Sequence, residues 1–211
     1  MAIMISSIAK RFLMGSTALV FALANAQAVD DVNREVAAKL AEGVCVSCHG
    51  PEGRGDNPRI PRLAAQQRAY LEVQLKAFRS QTRSDPAAHE YMWGIAATLS
   101  DSVVAALAEY FSTRAPAPSG EPLDEKTMRT GKQLFERGSP ERGAAPCMGC
   151  HGANAEGMGV FPRLAGQHRE YIFLQLKLIQ NKLRASPVMH GLITQLSNDE
   201  IMAVAAYLQS K

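Results

Sequence analysis

The sequence predicts an all-α fold built as two tandem domains related by internal duplication, and three observations predict it. First, the chain repeats itself. Pro61 to Arg79 and Pro162 to Gln180 match without a gap and are identical at ten of nineteen positions, sharing P-R-L-A-x-Q-x-R-x-Y-x-x-x-Q-L-K. Second, apolar residues recur at helical spacing, and no stretch alternates as a strand between turns would. Third, Ser112 to Leu123 (STRAPAPSGEPL) places three prolines, a glycine and two serines between the copies, which is the composition of a linker.

The elements follow in chain order. Lys10 and Arg11 precede an apolar run from Phe12 to Ala24, and Ala24-Asn25-Ala26 and Ala26-Gln27-Ala28 both satisfy the small-x-small rule for signal peptidase. Residues 1–28 therefore read as a signal peptide cut after residue 26 or 28. The run is shorter than the ~20 residues a spanning helix needs. Residues 29–114 form the N-terminal domain, 115–123 the linker and 124–211 the C-terminal domain. Val36, Leu40 and Val44 predict a helix in the first copy, and Tyr70, Val73, Ala77 and Phe78 predict another. Ser197 and Glu200 spell a capping box, with Leu196 and Ile201 as its staple; Leu99 and Val104 take the staple positions around Ser100. Each domain should hold three or four helices.

Charge excludes some functions. The chain has 23 basic and 20 acidic residues, and removing the leader removes two basic ones. A near-neutral polypeptide has no footprint for nucleic acid.

The four cysteines carry the chemistry. Cys45 and Cys48 precede His49, and Cys147 and Cys150 precede His151; C-x-x-C-H is the attachment signature for c-type haem. Two intervening residues let one helical turn present both thiols to one edge of the ring, and the next residue turns its imidazole toward iron. A zinc site from both pairs would want them about 15–20 residues apart, and here they are a hundred apart. A thioredoxin-like pair would want a βαβ context. A disulfide framework would need further cysteines, and the chain has only these four.

The sixth iron ligand separates carriers from enzymes. Methionine is a soft axial ligand that raises the potential. Met92 is the only methionine of the first domain, and the repeat lays it over Met189. Met148 sits inside the second attachment motif and Met158 just after it, and neither has a counterpart. His89, His168 and His190 align with no histidine in the other copy, so they read as surface or packing residues. A ligated methionine leaves substrate no open position on the iron, which suits one-electron transfer. Pro61 and Pro162 lie twelve and eleven residues after the histidines, and a carbonyl there is a suitable acceptor for the other imidazole N–H. Arg62, Arg163, Tyr70 and Tyr171 recur in both copies and are candidate donors to haem propionates.

Each half thus resembles a class I cytochrome c (CVSCH…PRL…Met92 and CMGCH…PRL…Met189). The tandem pattern over essentially the whole mature chain resembles the dihaem cytochrome c4 family. That resemblance implies two covalently bound haem c groups, ligated by His49 and Met92 and by His151 and Met189, in domains related by a pseudo-twofold. It also implies propionate edges that meet at the domain interface. It implies a periplasmic electron carrier rather than an enzyme, loosely associated with the membrane surface. The carrier would pass electrons from a quinol-oxidising complex or other donor to a terminal oxidase or reductase. One departure is Ala65, where the second copy has Gly166. Two alternatives stay open: a dihaem subunit of a dehydrogenase such as a flavin sulfide dehydrogenase, and an enzyme of the dihaem peroxidase or thiosulfate dehydrogenase type. Without haem the chain should be largely unfolded.

Overall fold

The computed structural model describes residues 27–211. The leader and its cut after residue 26 lie outside the described residues; Gln27 and Ala28 already belong to the first helix. Among the described residues the regular structure is helical. The only β-type pairings there are isolated bridges of Ser139 with Ala144 and of Met158 with Phe161.

In the N-terminal half, α1 runs over 27–49. Its turns widen into a π-turn at Ala41–Cys45 and close with Val46–His49. Helices α2 (Arg68–Arg79), α3 (Ala88–Ala96) and α4 (Asp101–Ser112) follow. The C-terminal half holds α5 (Glu125–Arg137), the single turn α6 (Met148–His151), α7 (Arg169–Gln180), α8 (Pro187–Ile193) and α9 (Asn198–Gln209). Helix α4 packs on α1 and α2, and α9 packs on α5 and α7 in the same way. Close crossing needs small residues. A Cβ on Gly131 of α5 would come within 2.1 Å of the Ala203 carbonyl of α9, and α1 presents Ala37 and Ala41 to α4.

The cap signals hold. Ser100 accepts the Val103 N–H at 3.2 Å. Ser197 and Glu200 form the full reciprocal box, with Leu196 and Ile201 buried beside it. Two expected stripes are corrected. On α1 the buried face is Ala37, Leu40 and Ala41, while Val36 and Val44 are exposed. On α2 it is Leu71, Leu75 and Phe78, while Val73 is exposed and Tyr70 turns to the other half. On α1 the crossing distance selects for side-chain size and not for hydropathy alone; on α2 the face turned inward is the one that carries Leu71, Leu75 and Phe78.

The halves meet through reciprocal glutamine clamps. Gln66 accepts the Arg163 N–H at 2.6 Å and donates to the Arg163 carbonyl at 3.0 Å. Gln167 does the same to Arg62, at 2.9 and 3.0 Å. Both glutamines are buried. One residue further along each copy of the repeat, Gln67 donates to Glu156 O, and His168 Nε2 donates to Gly55 O at 2.8 Å. His168 is therefore a buried interface residue, within the packing role expected of it.

Candidate functional site

Each C-x-x-C-H lies on one helical turn, at the end of α1 and in α6. That turn ends at a glycine with positive φ, Gly50 (+71°) or Gly152 (+81°). A Cβ on Gly50 would sit 2.4 Å from the Gly55 Cα, because the chain doubles back there. The returning loop is pinned to the histidine's own backbone: Gly55 N–H donates to His49 O at 2.7 Å, and Gly157 N–H to His151 O at 2.8 Å.

The loop then brings a proline carbonyl to each imidazole. His49 Nδ1 lies 2.7 Å from Pro61 O, and His151 Nδ1 lies 3.0 Å from Pro162 O. A carbonyl can only accept, so Nδ1 carries the proton and Nε2 keeps its lone pair. Burial holds both imidazoles below their ordinary pKa, against the opposing pull of the proline carbonyls. A neutral ring with a free Nε2 is the form that ligates iron. All four cysteines are unpaired. Burial raises the Cys45 thiol and pushes Cys147 up to about 11.

These residues fit a covalently attached haem. Among the described residues, no three His, Cys, Asp or Glu side chains converge as a metal site of their own. A porphyrin supplies its own nitrogens and needs only the two thiols and axial donors from the chain. Exposed apolar side chains precede one attachment cysteine and the two expected methionine ligands in sequence: Val44 before Cys45, Tyr91 before Met92 and Val188 before Met189. Such uncovered apolar surface suits an apolar ring. Met189 and Cys147 pack against one common core. Met92 packs with Phe78, Ala88 and Ala96, and Cys45 packs on a separate cluster; Leu99 touches both. Of the other histidines, His89 is edge-on to Trp93, and His190 Nδ1 donates to Ile179 O. Met148 packs on the second core, and Met158 is exposed.

The propionate candidates divide. Arg62 spends its guanidinium on the carbonyls of Gly166 and Pro118, at 2.7 and 3.0 Å. Tyr70 accepts a hydrogen bond from Arg184 Nη2 at 3.0 Å. It belongs to a cluster that the sequence motifs do not single out. Arg83 and Arg184 are equivalent in the repeat, as are Gln74 and Gln175. Arg83 donates to Gln74 (2.7 Å) and across to Gln175 (3.2 Å). Arg184 donates to Gln175 (2.6 Å) and across to Gln74 (3.2 Å). The signal that could have found them was the recurrence of Gln, Arg and Pro at one offset in both copies.

Comparison with known proteins bears on the whole chain. The cytochrome c family model matches residues 35–115 and again 128–211. Cytochrome c-552 of Acidithiobacillus ferridurans is 34% identical over 202 residues, covering 95% of this chain and 87% of its own. Cytochrome c4 of Thiocapsa roseopersicina is 37% identical over 175 residues, with coverages of 80% and 88%. A thiosulfate dehydrogenase electron acceptor of Stutzerimonas stutzeri is 35% identical over 204 residues, covering 92% of each chain. The solved cytochrome c4 of Acidithiobacillus ferrooxidans superposes with a TM-score of 0.75 at 37% identity, over 79% of this chain and 98% of that one. Two tandem family matches, full-length relatives and the two attachment turns lead to one conclusion: this chain is a member of the dihaem cytochrome c4 family and carries covalently bound haem c.

Proposed function

We propose that this chain is a periplasmic electron carrier that passes single electrons between a respiratory donor and a terminal oxidase or reductase, with both irons closed to substrate. Cys45, Cys48, Cys147 and Cys150 bind the two haems covalently. His49 and Met92 ligate one iron, and His151 and Met189 the other. The bound haem supplies an iron that alternates between ferric and ferrous states. The observation that carries this reading is that Met92 and Met189 stand at matching places, each on the short helix that follows the repeated segment, beside a paired His–Pro support, 2.7 and 3.0 Å, that fixes each imidazole's tautomer and orientation. The mature protein begins after residue 26 or 28, and the linker 115–123 joins the two redox domains.

A second observation narrows the donor. A relative aligned over 92% of this chain is named a thiosulfate dehydrogenase electron acceptor. We therefore take a thiosulfate-oxidising dehydrogenase as the second donor class beside a quinol-oxidising complex.

The test is an optical spectrum of the oxidised holoprotein, scanned for the far-red band of methionine-ligated ferric haem, with carbon monoxide then added to the reduced form. A band scaled to two haems and no carbon monoxide shift is expected. Met92→Ala and Met189→Ala should each remove half the band and open one iron to carbon monoxide. Rapid carbon monoxide binding by the unmutated protein would overturn the carrier reading in favour of an enzyme.

A further inference from the structure

Each half lays one side chain on the attachment loop of the other, and only one of the two can take up a proton. Gln67 and His168 stand at the same place in the repeat, each directly before the first turn of its helix, α2 or α7. Gln67 Nε2 donates to Glu156 O at 2.8 Å and to Gly157 O at 3.3 Å. His168 Nε2 donates to Gly55 O at 2.8 Å. Gly55 and Gly157 are equivalent in turn, since their N–H groups donate to His49 O and His151 O. Each half therefore steadies, through one glycine, the loop that wraps the other half's axial histidine.

The two contacts differ in chemistry. The Gln67 amide has no proton to gain near neutral pH. The His168 ring spends its Nε2–H on a carbonyl and can gain a second proton at Nδ1. The residue is 6% exposed. Arg62 Nε also donates to Gly55 O, at 3.4 Å, so a charged ring would face a second cation across the shared carbonyl. It would also stand at the N-terminus of α7, where the helix dipole opposes positive charge. Two carboxylates act the other way, Glu170 on α7 itself and Asp56 on the facing loop. Asp56 is exposed, so water screens its charge. Burial, joined by Arg62, outweighs the Gly55 carbonyl, Glu170 and Asp56 and holds the His168 imidazole below its ordinary value.

Resting on the assignment of His49 to iron, we propose that His168 is a positioning residue for the N-terminal haem site and makes its loop sensitive to mild acid. Neutral His168 holds Gly55 and, through Gly55, the backbone of His49. A protonated ring leaves the buried contact for water, and the loop loosens in the N-terminal half alone. Because the folded value lies below the ordinary one of about 6.5, the contact is complete above that ordinary value and weakens as pH falls from it toward the folded one. The Gln67 contact on the C-terminal loop keeps its strength throughout.

The test is amide hydrogen exchange of the reduced holoprotein from about pH 7.5 to about pH 5.5, a span that brackets the titration of an ordinary histidine. Gly55 and Gly157 are read in one sample, so the ratio of their rates cancels the intrinsic pH dependence of exchange. The Gly55 to Gly157 ratio should rise severalfold toward acid. The haem methyl NMR signals of the N-terminal haem in the oxidised protein should shift with the same midpoint. His168→Gln installs the residue that the other half uses, so it should keep the contact and flatten both responses. A flat ratio in the unmutated protein would overturn the proposal. So would a ratio that still rises in His168→Gln, where His89 remains in place, or N-terminal haem signals that do not respond to pH. The far-red methionine band at neutral pH reports the closed-iron reading separately. Its absence in the unmutated protein would sink that reading, while the glycine ratio would still decide the His168 contact.

Discussion

The C-terminal half is built on one continuous core, whereas the N-terminal half has two small ones. In the C-terminal half, Leu134, Phe135, Ile172, Ile179, Ile193, Ile201, Val204 and Leu208 form a single cluster. The N-terminal half buries Ala37, Ala41, Leu71, Leu107, Ala108 and Phe111 in one place and Phe78, Ala88 and Ala96 in another. Alanines let α1 and α4 approach closely but bury one methyl each. A leucine or phenylalanine buries several times more apolar area, at about 25 cal/mol per Å². Duplication has thus preserved the attachment turns and the interface while the two cores diverged. The attachment loops diverged as well. Helix α1 enters its C-x-x-C-H through a π-turn, while α5 stops at Gly138 and a loop bridged by Ser139 and Ala144 intervenes.

The contrast between the cores breaks most sharply at Phe135. Phe135→Ala should cost about 3–5 kcal/mol, because the ring is fully buried in the continuous core and the cavity collapses only partly. Denaturant unfolding of the holoprotein, followed at the Trp93 fluorescence and at the haem bands, would show it. A cost under about 1 kcal/mol would mean that the C-terminal core is not the stronger one.

The interface predicts symmetry where the cores do not. Gln66→Ala and Gln167→Ala each delete two hydrogen bonds across the domain boundary and leave an arginine's backbone groups unpaired. Each should cost about 1–3 kcal/mol and speed protease cleavage within 115–123. Equal effects confirm a reciprocal clamp; a large effect from one and none from the other would refute it.

A smaller and opposite pair tests the repeat at one of its glycine–alanine mismatches. Ala65 holds φ +57° and Gly166 φ +70°, and their N–H groups bond to Phe111 O and Leu208 O at 3.0 and 2.9 Å. The conformation is the same, but only glycine adopts it freely. Ala65→Gly should stabilise by about 1 kcal/mol, and Gly166→Ala should destabilise by about the same. A Cβ at Gly166 meets nothing nearer than 3.6 Å, so the effect of that change is conformational and not steric.

The smallest difference is a cap. Ser197 has Glu200 as its partner, whereas Ser100 has Val103 at that position. Burial pushes the Glu200 carboxyl up, but the Ser197 N–H and hydroxyl, together with Arg142, outweigh it and hold the group below its ordinary value. A lowered folded value means the contribution is complete above the unfolded value and is lost as pH falls through the folded one. Glu200→Gln should therefore cost roughly 0.5 kcal/mol at neutral pH and nothing in strong acid. The Ser100–Val103 bond at the start of α4 involves no carboxylate and should show no such dependence of its own, whereas Asp101 beside it is held below its ordinary value by Arg79.

Much of the site was legible because it is local. One helical turn places both thiols and the histidine, and twelve or eleven residues bring back the proline carbonyl that the structure finds on Nδ1. The caps at Ser100 and Ser197 were legible for the same reason. The α1 stripe misled because periodicity could not separate Val36 and Val44 from Ala37 and Ala41. Valine reads as more apolar, but the face that crosses α4 is built on the two alanines, with Leu40 packed beside them.

By itself the sequence determined the all-α class, the duplication and the two haem attachment turns, since each rests on contacts within a few residues or on self-similarity. Only the tertiary structure decided that Gln66 grips Arg163, that Arg83 and Arg184 share two glutamines, and that Asp85 is buried while most acids face water. Those facts depend on docking residues about a hundred positions apart, and nothing in the local pattern of a glutamine or an aspartate says what it will meet across an interface.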